Sequence, residues 1–193
     1  QGEHASNLGG LLAHDFANLN KKPAFIADPV VVDELSPVAR LSGLKEIKRK
    51  SIFHALNHKA VGKRYAKENH LSYDDLNLVI AHLGGGISIA AHEKGRVIDV
   101  NNALNGEGPF SPERAGTLPT GDLIKLCFSG DYSEPTLRKM ITGNGGFVSY
   151  LNLSDARLVE QRIKEGDEEA LLVFEALAYQ VAKEIGAMAI VLR

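Results

Sequence analysis

The stretch at residues 77–100, NLVIAHLGGGISIAAHEKGRVIDV, most constrains what this chain can fold into. It predicts three short apolar strands separated by two reversals, the first at Gly84, Gly85 and Gly86 and the second at residues 93–95. Glycine can adopt positive φ, so successive backbone N–H groups of the triplet can converge on one point. Such a nest suits a phosphate, whereas the plain alternative is a flexible hairpin turn without a ligand.

The composition is that of an ordinary globular chain. With 193 residues, 44% of them hydrophobic, there is enough material for one domain or two small lobes with a packed core. A net charge of −2 and a pI near 6.4 give no general attraction for nucleic acid or acidic membranes. The single cysteine, Cys127, excludes an intramolecular disulfide and fits a reducing compartment. No apolar run reaches membrane-spanning length, and QGEHASN is not a signal peptide. We therefore expect a cytoplasmic protein that binds neither nucleic acid nor membrane.

Apolar residues at helical spacing predict helices on both sides of the strands. A first helix is predicted at residues 5–17, a short strand, AFIAD, at 24–28, and a helix capped by Ser51 that runs to about Asn69. A loop rich in glycine and proline follows the strands at residues 105–121. Further helices are predicted at residues 122–128, 136–141, 155–165 and 167–192. The last one ends in AMAIVLR, which is apolar on most sides and needs neighbours, so we expect the chain to stop before its fold does.

Two histidines, His54 and His58, lie four residues apart and would share one face of a helix. This is ligand spacing for zinc, but Ala55 stands where the zinc-protease motif needs glutamate, and no third ligand is marked. A neutral helix surface is the ordinary explanation for at least one of them. The sharper alternative is an imidazolium that donates a hydrogen bond to a transferring phosphoryl group.

Three more residues are candidates for phosphate chemistry. His82 lies two residues before the glycine triplet, at a strand end from which its side chain can face the same ligand. Arg114 belongs to the proline-stiffened loop GEGPFSPERAGTLPTGD, and its planar fork matches phosphate and carboxylate oxygens. Asp28, just before Pro29, is either a turn residue or a carboxylate that orients a reactant or a Mg²⁺-bound water. Each has an ordinary structural explanation when taken alone; beside the glycine triplet, they favour phosphoryl transfer.

Six segments closely resemble the acetate/butyrate kinase family, which belongs to the actin-like ATPase and sugar-kinase superfamily. They are GEHASNLGG, AFIADPVVVDE, RKSIFHALNHKAV, IAHLGGGIS, VIDVNNALNGEGPFSPERAGTLPTGDL and YQVAKEIGAM. Within that family, AHLGGGIS and GEGPFSPERAGTLP resemble butyrate kinases rather than acetate kinases. The resemblance implies an α/β fold with ribonuclease H-like lobes around a cleft. It also implies reversible phosphoryl transfer between ATP and a short-chain carboxylate, with Mg²⁺, giving an acyl phosphate and ADP.

The same resemblance implies roles for individual residues. His54 matches the histidine that stabilises the transferring phosphoryl group, Arg114 the arginine that binds the carboxylate or acyl phosphate, and Asp28 the catalytic aspartate. The other implied site residues are Phe53, as an apolar wall for the acyl chain, and His82, Gly84, Gly85 and Gly86, as the second phosphate-binding loop. Acetate kinases have asparagine where Gly85 stands, so the phosphate contact here is expected to use backbone groups.

The resemblance places the chain in the middle of a longer kinase. It implies that residues 1–28 end an N-terminal lobe and that residues 29–193 begin a C-terminal lobe. A first phosphate loop, an adenosine loop and Mg²⁺ ligands would then lie outside the sequence, and the chain alone is expected to be inactive. Expected partners are ATP or ADP, Mg²⁺, and butyrate, a branched short-chain acid or the acyl phosphate. Exposed apolar surface would favour a homo-oligomer. The rival prediction is a catalytically inactive module that binds nucleotide or phosphate, or that only mediates interactions.

Overall fold

The computed structural model describes residues 5–193, so the start of the GEHASNLGG segment lies outside the described residues. Three strands form one antiparallel sheet in the order β1-β2-β3: β1 (Asn77–Leu83), β2 (Ile87–Glu93) and β3 (Arg96–Val100). The α-helices are α1 (Leu8–Asn20), α2 (Ala55–Glu68), α3 (Thr120–Cys127), α4 (Glu134–Thr142), α5 (Gly146–Leu151), α6 (Ala156–Lys164) and α7 (Glu168–Val191). Single 3₁₀ turns occur at Ala5–Asn7, Val38–Arg40 and Tyr73–Asp75.

The middle strand, β2, is covered on both faces. Side chains alternate across a strand, so residues 87, 89 and 91 share one face while residues 88, 90 and 92 share the other. On the first face, Ile87 and Ile89 pack against Val181 and Met188 of α7. The second face lies under α2 and the segment before it. The sheet is therefore the middle layer between α2 and α7.

An extra residue in β3 widens the apolar contact on the α2 face. Val100 pairs with Ala90 and Asp99 with Ala91, but Val97 pairs with His92, so the register shifts by one residue. Because of this bulge, Val97 and Val100 lie on the same side. Both pack with Ala90 and with Phe53 and Ala55 at the start of α2, in a cluster of buried side chains.

The C-terminal helices form a second packed unit beside the sheet. Phe110 from the loop after β3 and Phe147 of α5 pack with Val159 of α6 and Val173 of α7. Asp155 and Asp167 cap α6 and α7 by accepting hydrogen bonds from backbone N–H groups in the first turns. Helix α7 therefore joins the two units, since it also covers the sheet.

Helix α1 presents its apolar residues to solvent. Leu8, Leu11, Leu12 and Phe16 are each more than 60% exposed. Among residues 5–193, no helix combines the length and the low charge that crossing a bilayer requires.

The three strands and most of the helices confirm the predictions. Helices α3, α4, α6 and α7 begin and end within two residues of their predicted bounds. The first predicted helix is also present, although it opens with a 3₁₀ turn and continues to Asn20.

Two local predictions were wrong and one helix was missed. Residues 24–28 form no strand; Phe25 is 87% exposed there, so it has no sheet neighbour to pair with. Helix α2 begins at Ala55 rather than near Ser51, whose buried hydroxyl donates to the Val32 carbonyl and so is not available as a cap. Helix α5, Gly146–Leu151, is too short to show a helical period in the sequence.

Two helical glycines should respond oppositely to alanine. At Gly62 in α2, a Cβ atom would lie 2.7 Å from Tyr73 Cε2 and 3.1 Å from Ile80 Cδ1, whereas at Gly186 in α7 it would meet nothing within 4 Å. We expect Gly62→Ala to destabilise by about 1–3 kcal/mol through overpacking. Gly186→Ala should stabilise by about 0.5–1 kcal/mol through helix propensity. Urea unfolding of both variants tests this, and equal effects at the two sites would contradict it.

Candidate active site

His54 and His82 form a stacked pair at the edge of the sheet. Their ring centroids are 3.7 Å apart and the ring planes differ by 5°. His54 is the residue immediately before α2, and its Nδ1 lies 2.8 Å from Ser88 Oγ. His82 faces Ser88 directly across β1 and β2 in the strand register. The turn between those strands is the glycine triplet, so both imidazoles lie where the phosphate loop was predicted.

The orientation of His82 is fixed from α2. The Asn57 side-chain amide lies 2.9 Å from His82 Nδ1 and donates to it, which leaves the proton of a neutral His82 on Nε2. That nitrogen is directed toward the turn, since a Cβ atom at Gly84 would lie 3.0 Å from it. Burial lowers the pKa of His82, which favours this neutral, singly protonated form.

Arg114 packs against the other end of the same turn. A Cβ atom at Gly86 would overlap the Arg114 guanidinium, so only glycine leaves room for it. The guanidinium donates through Nη1 to the Ala103 carbonyl. Burial lowers the pKa of Arg114, opposed by the nearby Glu113 carboxylate. A partly buried guanidinium and a donor imidazole thus flank one glycine turn.

Ser111 ties the arginine loop to the turn. Its hydroxyl donates to the Gly85 carbonyl at 2.6 Å, and its backbone N–H donates to the Arg114 carbonyl at 3.0 Å. The positive φ of Gly146, +59°, lets α5 begin directly against the Ser111 carbonyl, where no Cβ atom would fit. The position of Arg114 is therefore set by packing and backbone hydrogen bonds.

The reason for the glycine triplet differs from the expected one. None of Gly84, Gly85 and Gly86 adopts the left-handed region. Positive φ occurs instead at Lys94 and Gly95, in the turn between β2 and β3. A nest that depends on positive φ is therefore not the geometry here. The small size of Gly86 is required by the close approach of Arg114, and the N–H of Gly84 donates to the Gly86 carbonyl at 3.2 Å.

Asp28 lies beside a partly buried ion pair between Lys59 of α2 and Glu34. Its Oδ1 is 3.6 Å from Lys59 Nζ, and Lys59 also donates to Glu34 Oε1 at 2.6 Å. Burial would raise the pKa of Glu34, but hydrogen bonds from Lys59 and from the Val97 N–H lower it overall. Asp28 has φ +42°, an unusual conformation for a residue before proline. Among residues 5–193, no hydrogen bond or ion pair joins Asp28 to Arg114 or His82.

Phe53 is part of the core. Its side chain is 2% exposed and its ring meets the His58 ring edge-on with centroids 5.3 Å apart. The Phe53 N–H donates to the Val30 carbonyl at 3.1 Å, which brings the segment carrying Asp28 beside the start of α2. Its role as a wall for an acyl chain stays a prediction. In the fold, the buried Phe53 ring anchors the backbone next to His54.

His58 and His92 are fully buried between α2 and β2. His58 Nε2 lies 2.9 Å from Ser88 Oγ, and His58 Nδ1 lies 3.3 Å from His92 Nε2. Burial lowers the pKa of His58 to about 3, helped by repulsion from neighbouring histidines, and lowers the pKa of His92 to about 4. His58 is thus no surface residue, and both imidazoles are neutral near pH 7.

The described residues do not offer a metal site. Across residues 5–193, no group of three or more His, Cys, Asp or Glu side chains is arranged to hold an ion. The Asp28 carboxylate is engaged by Lys59. Residues 5–193 therefore provide no three-ligand protein site for the Mg²⁺ that the resemblance implies.

With this geometry in place, the family of the chain is clear. The sequence model of the Acetokinase family matches residues 40–193, which is most of the chain and includes both histidines, the glycine turn and Arg114. The chain belongs to the acetokinase family.

Solved structures agree on the fold. An acetate kinase from Porphyromonas gingivalis superposes with a TM-score of 0.83 at 25% identity, covering 96% of this chain and 49% of that one. A propionate kinase from Francisella tularensis subsp. tularensis SCHU S4 gives 0.72 at 23% identity, and an acetate kinase from Entamoeba histolytica gives 0.70 at 20% identity. Each of these two covers 81% of this chain and 42% of its own. The fold is the α/β fold of these kinases, in the actin-like superfamily, and the chain spans less than half of each match.

The sequence analysis proposed His54, His82 and Arg114, which the fold brings around one turn, but it missed the residues that hold them. Ser88, Asn57 and Lys59 are ordinary polar residues in the sequence, and their contacts span up to 34 residues. The only available signal was the alternation in β2: Ser88 and His92 are polar positions on one face of an otherwise apolar strand, which marks a buried polar contact.

Two neighbouring glycines should differ sharply when replaced by alanine. A Cβ atom at Gly86 displaces the Arg114 guanidinium, while the nearest atom to a Cβ at Gly85 is Glu113 Oε2 at 3.8 Å. We expect Gly86→Ala to destabilise by roughly 1–3 kcal/mol, the range for disturbing a buried charged hydrogen bond. Gly85→Ala should stay within about 0.5 kcal/mol of the wild type. Thermal and urea unfolding measure both, and a neutral Gly86→Ala would remove the argument for the close approach.

Stability should fall as the pH drops below about 6.5. The ordinary histidine pKa is 6.5, while His58 and His92 titrate near 3 and 4 in the fold, so the unfolded chain takes up protons that the folded chain does not. Each histidine contributes a slope of up to about 1.4 kcal/mol per pH unit within that window. The pKa of His82 is lowered by burial as well, so it contributes to the slope with the same sign. Unfolding free energies measured across this range check the sign, and His92→Gln should reduce the slope. A flat profile from neutral pH down to about pH 5 would contradict the buried neutral pair.

Proposed function

We propose that this chain is the central part of a kinase that transfers a phosphoryl group from ATP to butyrate or a branched short-chain acid, reversibly. Membership of the acetokinase family supports the reaction class. The similar solved structures are named acetate kinase and propionate kinase, which are kinases of short-chain carboxylates. The choice of a four-carbon acid depends on AHLGGGIS and GEGPFSPERAGTLP, the segments that resemble butyrate kinases.

One observation carries the proposal: the glycine turn is held between a guanidinium and a stacked imidazole pair. Arg114 touches Gly86 at one end, and His82 approaches Gly84 at the other with His54 stacked on it. Phosphoryl transfer needs positioned donors around spreading negative charge more than it needs covalent chemistry from the protein. These three side chains are such donors, and they are brought together from α2, β1 and the loop after β3.

In this proposal, Arg114 binds the carboxylate or acyl phosphate and His54 donates to the transferring phosphoryl group. The guanidinium fork suits paired oxygens, and its hydrogen bond to Ala103 limits its rotation. His82 and the backbone of residues 84–86 hold nucleotide phosphate. Asp28 acts as the catalytic carboxylate, which requires it to leave or share the 3.6 Å contact with Lys59. Phe53, the buried residue before His54, anchors that histidine and borders the acyl chain.

ATP or ADP and Mg²⁺ are the expected cofactors. The residues that we assign to phosphate lie in this chain, whereas the Mg²⁺ ligands are not found among residues 5–193. Mg²⁺ would supply charge neutralisation of the phosphates when bound. We assign no residue of this chain to it.

The rival function is an inactive module that binds only nucleotide or phosphate. Family membership does not favour it, and the two functions differ in a direct test. A full-length kinase that carries these 193 residues is incubated with Mg·ATP and butyrate, isobutyrate, propionate or acetate, and acyl phosphate is trapped with hydroxylamine. Activity that is highest with a four-carbon acid supports the proposal. Nucleotide binding without acyl phosphate from any acid supports the module.

In that full-length enzyme, Arg114→Ala should lower kcat by about 10²–10³-fold, the range for removing a donor aimed at developing charge. Arg114→Lys should recover little of the loss because the fork is gone. His54→Ala should also lower kcat while nucleotide affinity, measured by calorimetry, stays nearly unchanged. Arg64→Ala is the control, since Arg64 is an exposed residue of α2 that pairs with Glu68 on the same helix. A near wild-type rate for Arg114→Ala or His54→Ala would return that residue to a structural role.

A further inference from the structure

A chain of four hydrogen bonds runs from the core to His54. The Tyr73 phenol oxygen lies 2.7 Å from His92 Nδ1, and His92 Nε2 lies 3.3 Å from His58 Nδ1. His58 Nε2 lies 2.9 Å from Ser88 Oγ, which in turn lies 2.8 Å from His54 Nδ1. Each ring nitrogen of the two inner histidines is therefore used once, and the Ser88 hydroxyl connects His58 to His54.

The groups that form these hydrogen bonds are shielded from solvent. His58, His92 and Ser88 are 0% exposed and Tyr73 is 7% exposed. Burial raises the pKa of Tyr73 to about 12, so its phenol keeps its proton, and both inner imidazoles are neutral. Each inner group consequently has one hydrogen to donate, and each bond in the chain needs one donor and one acceptor.

Counting hydrogens gives the chain a direction. If Tyr73 donates to His92, then His92 donates to His58, His58 to Ser88, and Ser88 to His54 Nδ1. Every inner donor and acceptor is then satisfied. In the reverse direction, the Tyr73 hydrogen would point away from His92, but within residues 5–193 the phenol has no other hydrogen-bond partner. A buried donor without an acceptor is disfavoured, so the direction is from Tyr73 to His54.

We propose that Tyr73, His92, His58 and Ser88 are positioning residues that hold His54 with Nδ1 as an acceptor and its proton on Nε2. The neutral imidazole is then already a donor through Nε2, and an imidazolium is not required for it to bond a phosphoryl oxygen. Protonating Nδ1 as well would reverse the Ser88 hydroxyl and every bond down to Tyr73. The use of the Nε2 proton in catalysis rests on the function proposed above, whereas the position of the proton does not.

The position of the proton can be measured directly in the 193-residue chain. With ¹⁵N-labelled histidine, long-range ¹H–¹⁵N spectra separate protonated from unprotonated ring nitrogens, and His54→Gln identifies the His54 signals. Near neutral pH we expect Nδ1 of His54 in the unprotonated range and Nε2 in the protonated range. The opposite pattern would overturn the proposal by itself, without any variant that has to fold.

Tyr73→Phe tests whether the chain causes this state. It keeps the buried ring and removes only the hydrogen that starts the chain, so the His54 Nδ1 signal should move toward the protonated range. Ser88→Ala, which cuts the chain next to His54, should give a shift in the same direction. Tyr65→Phe is the matched control, because Tyr65 lies half exposed on α2, and it should leave the His54 signals in place. Unchanged His54 signals in folded Tyr73→Phe and Ser88→Ala would refute the positioning role.

Kinetics separate this inference from the proposed function. In the full-length kinase, Tyr73→Phe should lower kcat by roughly tenfold with little change in KM for ATP, a fraction of the roughly 10²–10⁴-fold that a positioned proton donor contributes. If the His54 signals shift as expected but kcat is unchanged in both Tyr73→Phe and His54→Ala, the chain of hydrogen bonds stands and the catalytic role of His54 fails. If kcat falls without any shift of the signals, the positioning proposal fails.

Discussion

The arrangement of this molecule depends on how α2 is joined to the middle strand β2. Apolar side chains cover β2 from the α7 side, but on the α2 side two positions, Ser88 and His92, are polar and completely buried. Polar groups so placed are stable only when their hydrogen bonds are made, which demands one position of His58 between them. That requirement fixes the start of α2 over the sheet, and with it His54 beside His82.

Regular structure with a strong local pattern could be predicted from the sequence. The strands β1 to β3 were visible as apolar runs between glycine-containing turns, and α6 and α7 as segments with apolar residues at helical spacing. Residues 24–28 have the composition of a strand but no partner strand, and pairing is a property of the neighbour rather than of the segment. Short elements such as α5 are set by tertiary packing, here of Phe147 against Phe110.

The candidate site was half predictable for a related reason. Individual residues with chemical potential, such as His54 and Arg114, can be picked out by type and by the glycine and proline around them. Their proximity cannot, because it arises from contacts between distant segments: Ser88 reaches His54 across 34 residues, and Gly86 accommodates Arg114 from another loop. The glycine triplet was predicted to admit a phosphate; among residues 5–193, the group that approaches it closely is the Arg114 guanidinium.

The polar contact between α2 and β2 also limits how the helix can move. The hydrogen bonds that Asn57 and His58 of α2 make to His82, Ser88 and His92 are directional, so the helix cannot slide along the sheet in the small steps that a purely apolar contact allows. Tyr73 and Ile80 also crowd the position of Gly62, which blocks movement along the helix axis. Helix α2 is therefore joined to the sheet both by directional hydrogen bonds and by close packing at Gly62. The glycine turn thus lies between this joined unit and a separate segment, residues 101–119, which carries Arg114 and is tied to the turn by the hydrogen bond from Ser111 to the Gly85 carbonyl.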